Sequence, residues 1–187
     1  MLVGVLALQG DFREHLAVLG RLGVEGSEVR SAADLEGIDA LIIPGGESTT
    51  IGKMAVRYEL MEPLRETIEA GTPVLGTCAG MIFLAAGTTG EEQPQLGVLD
   101  VVVERNAFGR QVESFEEDVE IAGFDRPLRA VYIRAPWIHK VGADVEVLAR
   151  SGDHPVMVRQ GAIIATSFHP ELTDDDRIHR MLVIEGR

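Results

Sequence analysis

The chain has 187 residues, 45% hydrophobic and 25% charged, with a formal net charge of -13. That length suits one domain and buries roughly 70% of the surface of the unfolded chain, so the fold needs no staples. The acidity argues against nonspecific nucleic-acid binding, which needs a basic surface. The single cysteine, Cys78, allows neither an internal disulfide nor a Cys-rich zinc site, a usage that suits a reducing cytoplasm.

The N-terminal MLVGVLALQGDF is apolar but lacks a basic n-region and a small-residue cleavage site. It reads as a first core strand over residues 2–8, not as a signal peptide. Phe12, Leu16, Leu19 and Leu22 are spaced for one face of a helix over residues 12–22. A short second strand is expected at 28–30. A buried strand at 40–43 stops at Pro44-Gly45-Gly46, and a helix spans about 58–69. Residues 74–77 read as another strand, with a helix over 81–86 after Cys78. Strands alternating with helices predict a parallel sheet covered on both faces.

The second half reads differently. Strands are expected at 96–105, 119–121, 130–133, 145–149, 156–159 and 162–167, with Gln160-Gly161 as a hairpin turn. These suggest a mixed or antiparallel extension. The acidic run 113–120 reads as a solvated strand face, and a closing helix is expected over 174–184.

Ligands of open α/β sheets bind beyond the carboxyl ends of the strands. Gln9-Gly10-Asp11, Pro44-Gly45-Gly46-Glu47-Ser48, Gly76-Thr77-Cys78-Ala79-Gly80 and His169-Pro170-Glu171 all follow predicted strands. In a parallel sheet they share one edge. Gly-x-Cys-x-Gly between strand and helix has the form of a nucleophile elbow. The following helix favours a thiolate, and the Ala79 amide would serve as an oxyanion donor. Taken alone, the pentapeptide fits an inert buried thiol equally well.

His169-x-Glu171 supplies what a thiolate needs. In an extended chain residues 169 and 171 point to one side, and Glu171 can hold the imidazole's orientation and tautomer. The glycine-rich loop at 44–50 is not a phosphate cradle. Five residues, not four, separate Gly46 from Gly52-Lys53, and Met54 stands where Ser or Thr is required. A second oxyanion amide from Gly45 or Gly46 is the better role. Arg105 could fork onto a substrate carboxylate. His15, His139, His154 and His179 show no partner pattern and read as structural or exposed.

Six stretches together carry a family resemblance. They are Leu6-Ala7-Leu8-Gln9-Gly10, Pro44-Gly45-Gly46-Glu47-Ser48-Thr49-Thr50, Gly76-Thr77-Cys78-Ala79-Gly80-Met81, Arg105-Asn106-Ala107-Phe108-Gly109-Arg110-Gln111, Ile133-Arg134-Ala135-Pro136 and Ser167-Phe168-His169-Pro170-Glu171. The chain resembles the glutaminase subunits of pyridoxal 5'-phosphate synthase, a branch of the triad-type (class I) glutamine amidotransferases. The resemblance covers nearly the whole chain and implies one glutaminase domain over 1–187. It also implies a flavodoxin-like three-layer α/β sandwich with a mostly parallel central sheet.

The resemblance further implies hydrolysis of L-glutamine by a Cys78, His169, Glu171 triad, with Gly46 and Ala79 amides as the oxyanion hole. Gly46, Glu47, Ser48, Arg105, Ile133 and Arg134 would grip the substrate. Gln9 would sit near the oxyanion hole and the partner interface. The ammonia would pass to a (β/α)8 synthase subunit in a large hetero-oligomer. The expectation includes no metal and no cofactor, pyridoxal phosphate being the product of the complex.

Overall fold

A computed structural model describes residues 1–105 and 114–186. In chain order the elements are β1 (Leu2–Leu6), α1 (Phe12–Arg21), β2 (Glu25–Val29), β3 (Ala40–Ile43), α2 (Ser48–Arg57), α3 (Met61–Glu69), β4 (Val74–Thr77), α4 (Ala79–Leu84), β5 (Ala85–Thr88) and β6 (Leu99–Glu104). They continue with β7 (Ser114–Val119), β8 (Leu128–Ile133), β9 (Trp137–Val141), β10 (Glu146–Ser151), β11 (His154–Gln160), β12 (Ile163–Thr166) and α5 (Arg177–Glu185).

Seven strands form the central sheet in the order β10-β11-β12-β4-β3-β1-β2. The β12-β4-β3-β1-β2 part is parallel, while β11 and β10 add on antiparallel. The expected mixed extension is therefore real, but it is shorter than the run of second-half strands suggests. The remaining strands leave the sheet: β5, β6 and β9 make a three-stranded sheet, and β7 and β8 pair as a separate antiparallel ribbon.

Both faces of the central sheet are covered, so its middle strands are apolar on both sides. Every residue of β3, β4 and β12 is buried. Side-chain alternation sorts them: Leu41 and Ile43 join a core with Ile51 and Ala55 of α2, Leu64 and Ile68 of α3, and the apolar residues of α4 and β6. Ala40 and Ile42 face the opposite core, built with Leu19 of α1, Tyr132 of β8, and Ile178 and Leu182 of α5. This gives three layers, with the sheet in the middle.

The helix α2 is not expected from the sequence, where residues 44–50 read only as a loop. Its start has no Ser, Thr, Asp or Asn cap. Instead the Glu47 carboxylate accepts from the amides of Thr49 (3.2 Å) and Thr50 (2.7 Å). The helical face of α1 is also rotated from the expected one. His15, Val18 and Leu19 are its buried residues, while Phe12 and Leu16 lie at the margin. The acidic 114–119 strand does alternate exposed and covered residues along most of its length, as a half-solvated strand should.

Candidate active site

Four loops leave the carboxyl ends of β1, β3, β4 and β12, and parallel pairing brings them to one edge. The register is tight there: Thr77 of β4 lies opposite Thr166 of β12, and Gly76 opposite Ile43 of β3. The Cys78 amide then donates to the Thr166 carbonyl (2.8 Å), extending the pairing by one residue before the chain turns.

That turn has the strain of an elbow. Cys78 sits at φ 48°, ψ -103°, a region that costs a non-glycine residue on the order of 1–3 kcal/mol and is held only by its surroundings. Gly80 explains part of the holding. A Cβ at this position would run into the Ile43 carbonyl oxygen, so α4 packs on β3 more closely than any other residue would allow. The helix α4 begins at once, at Ala79, and lasts six residues. It starts earlier than sequence periodicity suggests and gives way directly to β5.

His169 and Glu171 are joined by a 2.7 Å hydrogen bond from Nδ1 to Oε1. Both are buried. They face each other by a different device from the extended strand expected of His-x-Glu. Pro170–Leu172 is a 3-10 turn with Pro170 in its first position. Proline suits that position because its missing N–H would be unpaired there anyway.

The His169 amide donates to the Val131 carbonyl of β8 (2.8 Å), and its ring lies against Gly45, where a Cβ would collide with Cε1. Burial opposes a charge on His169. Hydrogen bonds with Cys78 and Glu171 outweigh it and push the imidazole up to about 11. Burial raises the Glu171 carboxyl, and the bond to His169 works against that rise.

The other candidate residues lie around this centre. Ile133 ends β8 with its carbonyl oxygen 3.8 Å from Cys78 Sγ, and Arg134 follows in a left-handed conformation at φ 45°. The Gln9 side chain accepts the Glu47 amide at 2.7 Å, while the Asp11 amide donates to the Gly45 carbonyl at 3.1 Å. The β1 and β3 loops are thereby tied together next to Gly46. Glu47 is held below the usual carboxylate range, burial notwithstanding, by hydrogen bonds from Thr50 and Thr49.

Arg105 reaches the same loop, with Nη2 3.3 Å from Glu47 Oε1 and Nη1 3.3 Å from Thr49 Oγ1. Ser48 is buried and its hydroxyl donates to Gln93 Oε1, so its side chain is turned to protein. Residues 106–111, the rest of the Arg105 motif, lie outside the described residues. Ala79, adjoining Cys78, is buried.

Two histidines belong to the neighbourhood though no sequence pattern singles them out. His15 Nε2 is 3.5 Å from Glu171 Oε2, and His15 Nδ1 is 2.9 Å from His179 Nε2. Their only sequence signal is a histidine within each of two otherwise apolar helix faces. Asp11, His169 and Glu171 also place one ligand atom each within 4.8 Å of one another. The group has metal-like spacing, but the His169 nitrogen involved is the one hydrogen-bonded to Glu171.

A strained thiol at an elbow, an imidazole beside it and a carboxylate behind the imidazole make a nucleophile–base–orienter set. Such a set suits acyl transfer, and it recurs on unrelated substrates. Comparison with known proteins narrows it. The family described as the SNO glutamine amidotransferase family matches residues 5–186. The chain belongs to the SNO glutamine amidotransferase family.

Curated relatives of this amidotransferase agree. A Thermus thermophilus protein named pyridoxal 5'-phosphate synthase subunit PdxT is 64% identical over 180 residues, covering 95% of this chain and 94% of the relative. A Mycolicibacterium vanbaalenii protein of the same name is 58% identical, covering 97% and 95%. A solved structure described as a glutamine amidotransferase superposes with a TM-score of 0.94 at 58% identity, covering 98% of each chain. A glutamine amidotransferase from Thermotoga maritima, at 15% identity and a TM-score of 0.63, shares the fold over 100% of this chain and 90% of its own. The α/β architecture and the amidotransferase class follow. Among the described residues no helix is long and apolar enough to cross a membrane.

Proposed function

We propose that this amidotransferase hydrolyses L-glutamine to L-glutamate and ammonia with Cys78, His169 and Glu171, and delivers the ammonia to the synthase partner that makes pyridoxal 5'-phosphate. The observation that carries the chemistry is the 2.7 Å Nδ1–Oε1 bond between buried His169 and Glu171, with the ring's other nitrogen left to serve Cys78. Support for the pathway comes from the relatives' name, pyridoxal 5'-phosphate synthase subunit PdxT.

Cys78 has already passed its proton to His169, so the resting pair is thiolate and imidazolium, and Sγ attacks the side-chain amide carbon of glutamine. The carbonyl oxygen becomes an oxyanion, met by the Gly46 and Ala79 amides. His169 returns the proton to the amide nitrogen, the C–N bond breaks, and ammonia leaves a γ-glutamyl thioester on Cys78. His169 then takes a proton from water as the hydroxide attacks the thioester. Collapse expels the thiolate, and glutamate is released. Glu171 keeps Nδ1 protonated throughout and stabilises the imidazolium.

Glu47, Ser48, Arg105, Ile133 and Arg134 form the substrate grip in this reading. Arg105 is the group that would meet the substrate's α-carboxylate. Gln9 couples the oxyanion loop to the synthase, a (β/α)8 protein in a large hetero-oligomer. Support is the 2.7 Å bond from the Glu47 amide to Gln9 Oε1, one residue beyond Gly46.

The test is ammonia release from glutamine by the full chain, alone and with the synthase. Wild type should release ammonia, faster with the synthase. Cys78→Ala should release none while keeping the wild-type circular dichroism spectrum. Substantial turnover in Cys78→Ala would sink the mechanism, and an equal rate with and without the synthase would sink the coupling.

A further inference from the structure

Glu171 uses one carboxylate oxygen on His169. The other, Oε2, is buried and has no hydrogen-bond partner. A buried carboxylate oxygen left unmatched is costly, so what faces it matters. The group facing it is His15 Nε2, at 3.5 Å, with both side chains fully buried. Two further contacts fix that ring: Nε2 lies 3.2 Å from Thr77 Oγ1, the residue before the nucleophile, and Nδ1 lies 2.9 Å from His179 Nε2.

The partners decide the tautomers. Suppose His15 carried its proton on Nδ1 and donated to His179 Nε2. The proton of His179 would then sit on its own Nδ1, a buried atom with no partner. Glu171 Oε2 would face a lone pair. Two buried groups would be mismatched. In the opposite arrangement His179 Nε2–H donates to His15 Nδ1, and His15 Nε2–H points into the gap between Thr77 Oγ1 and Glu171 Oε2. Left over are the lone pair on His179 Nδ1 and the Thr77 hydroxyl hydrogen, which is free to rotate; an unused ring acceptor costs less than an orphaned ring donor. Burial, reinforced by neighbouring His179 and His169, holds His15 well below the usual histidine range. Burial likewise takes His179 down to about 4. Both rings are therefore neutral donors at neutral pH.

We infer that His15 is a positioning residue for the triad: its Nε2–H holds the second oxygen of Glu171, and His179 fixes the tautomer that lets it do so. The hydrogen bond from His179 to His15 then turns the His15 Nε2–H toward Glu171 Oε2, a long contact of 3.5 Å, while His169 donates to Glu171 Oε1 from the other side. A carboxylate gripped at both oxygens cannot rotate away from His169. Because the donor is uncharged, it supports the carboxylate without competing with His169 as a counter-charge.

This inference rests on the triad reading, and its test separates the two. Cys78 is the only cysteine, so alkylation by iodoacetamide at neutral pH reports on the nucleophile without any substrate. Glutamine hydrolysis reports on the whole reaction. Three variants are compared: His15→Leu, which removes the donor, His15→Gln, whose amide N–H can replace Nε2–H, and Glu171→Gln.

In His15→Leu, kcat and the alkylation rate should each fall roughly tenfold to hundredfold, the weight of a hydrogen bond to a charged group, with KM unchanged. His15→Gln should recover most of both at the same thermal midpoint as His15→Leu. Wild-type kcat and alkylation in folded His15→Leu would overturn the inference, as would equal losses in the Leu and Gln variants. If His15→Leu does not fold, His15→Gln against wild type decides: near-wild-type rates support the donor role, and a loss as deep as that of Glu171→Gln overturns it. Wild-type protein that alkylates at Cys78 but hydrolyses no glutamine would refute the substrate assignment and leave the alkylation comparison standing.

Discussion

Glu171 shows how one residue's surroundings set its task. Its burial would favour a neutral acid, and the bond to His169 pulls the other way. The pair is therefore interdependent: the imidazole is held up by its partners, and its bond to the carboxylate works against the rise that burial imposes on Glu171. Replacing Glu171 with Gln keeps the shape and removes the charge. The kcat for glutamine should drop by roughly two to four orders of magnitude, as carboxylate loss does in other triads. Asp11 Oδ2, 3.4 Å from the same nitrogen, is a weaker substitute, so residual turnover in Glu171→Gln should fall again when Asp11→Asn is added. A steady-state assay at saturating glutamine checks both, and a near-wild-type rate for Glu171→Gln would remove that residue from the triad.

At the scale of elements, the elbow depends on contact between α4 and β3. Gly80→Ala places a methyl where the Ile43 carbonyl already stands. Either α4 moves out or β3 moves away, and overpacking of this kind costs roughly 1–3 kcal/mol. The expected result is a lowered thermal midpoint together with loss of glutaminase activity out of proportion to the unfolded fraction. Activity matching wild type would mean the elbow tolerates the shift. The parallel strands at 2–6 and 40–43 are legible in the sequence because they are short, apolar and followed by turns that carry glycine or proline. Cys78, His169 and Glu171 stand out because each follows such a strand. Less is legible where side chains reach across the fold. The helix α2 is hidden because its cap is a glutamate. The strands β5 and β9 escape notice, being short and only partly buried. His15 and His179 are 164 residues apart in sequence, and no local pattern links them.

For the molecule as a whole, the buried histidines make stability sensitive to acid. His179 is taken from an ordinary value of 6.5 down to about 4 in the folded protein, and His15 is lowered too. Between pH 6.5 and 4 the unfolded chain binds protons that the folded chain refuses. The contribution of His179 and His15 is therefore fully present above about 6.5 and is lost as pH falls toward 4. For His179 alone the loss should amount to about 3 kcal/mol by pH 4. Urea midpoints measured across that range should slope downward, and His179→Gln should flatten the slope. An unchanged slope in the variant would assign the acid sensitivity elsewhere.

The pairing of β4 with β12 has a consequence for how the chain comes to be active. Cys78 follows one of these strands and His169 the other, and the Cys78 amide is itself bonded to Thr166. Joining them requires a contact between residues in the first half of the chain and the last strand to be made. Long-range parallel pairings of this kind are slow to form, because a large loop must close before any bond rewards it. Glutaminase activity thus reads out the slowest part of assembly: a refolding chain can regain its helices and its N-terminal strands and remain inert until its final strand has docked in register.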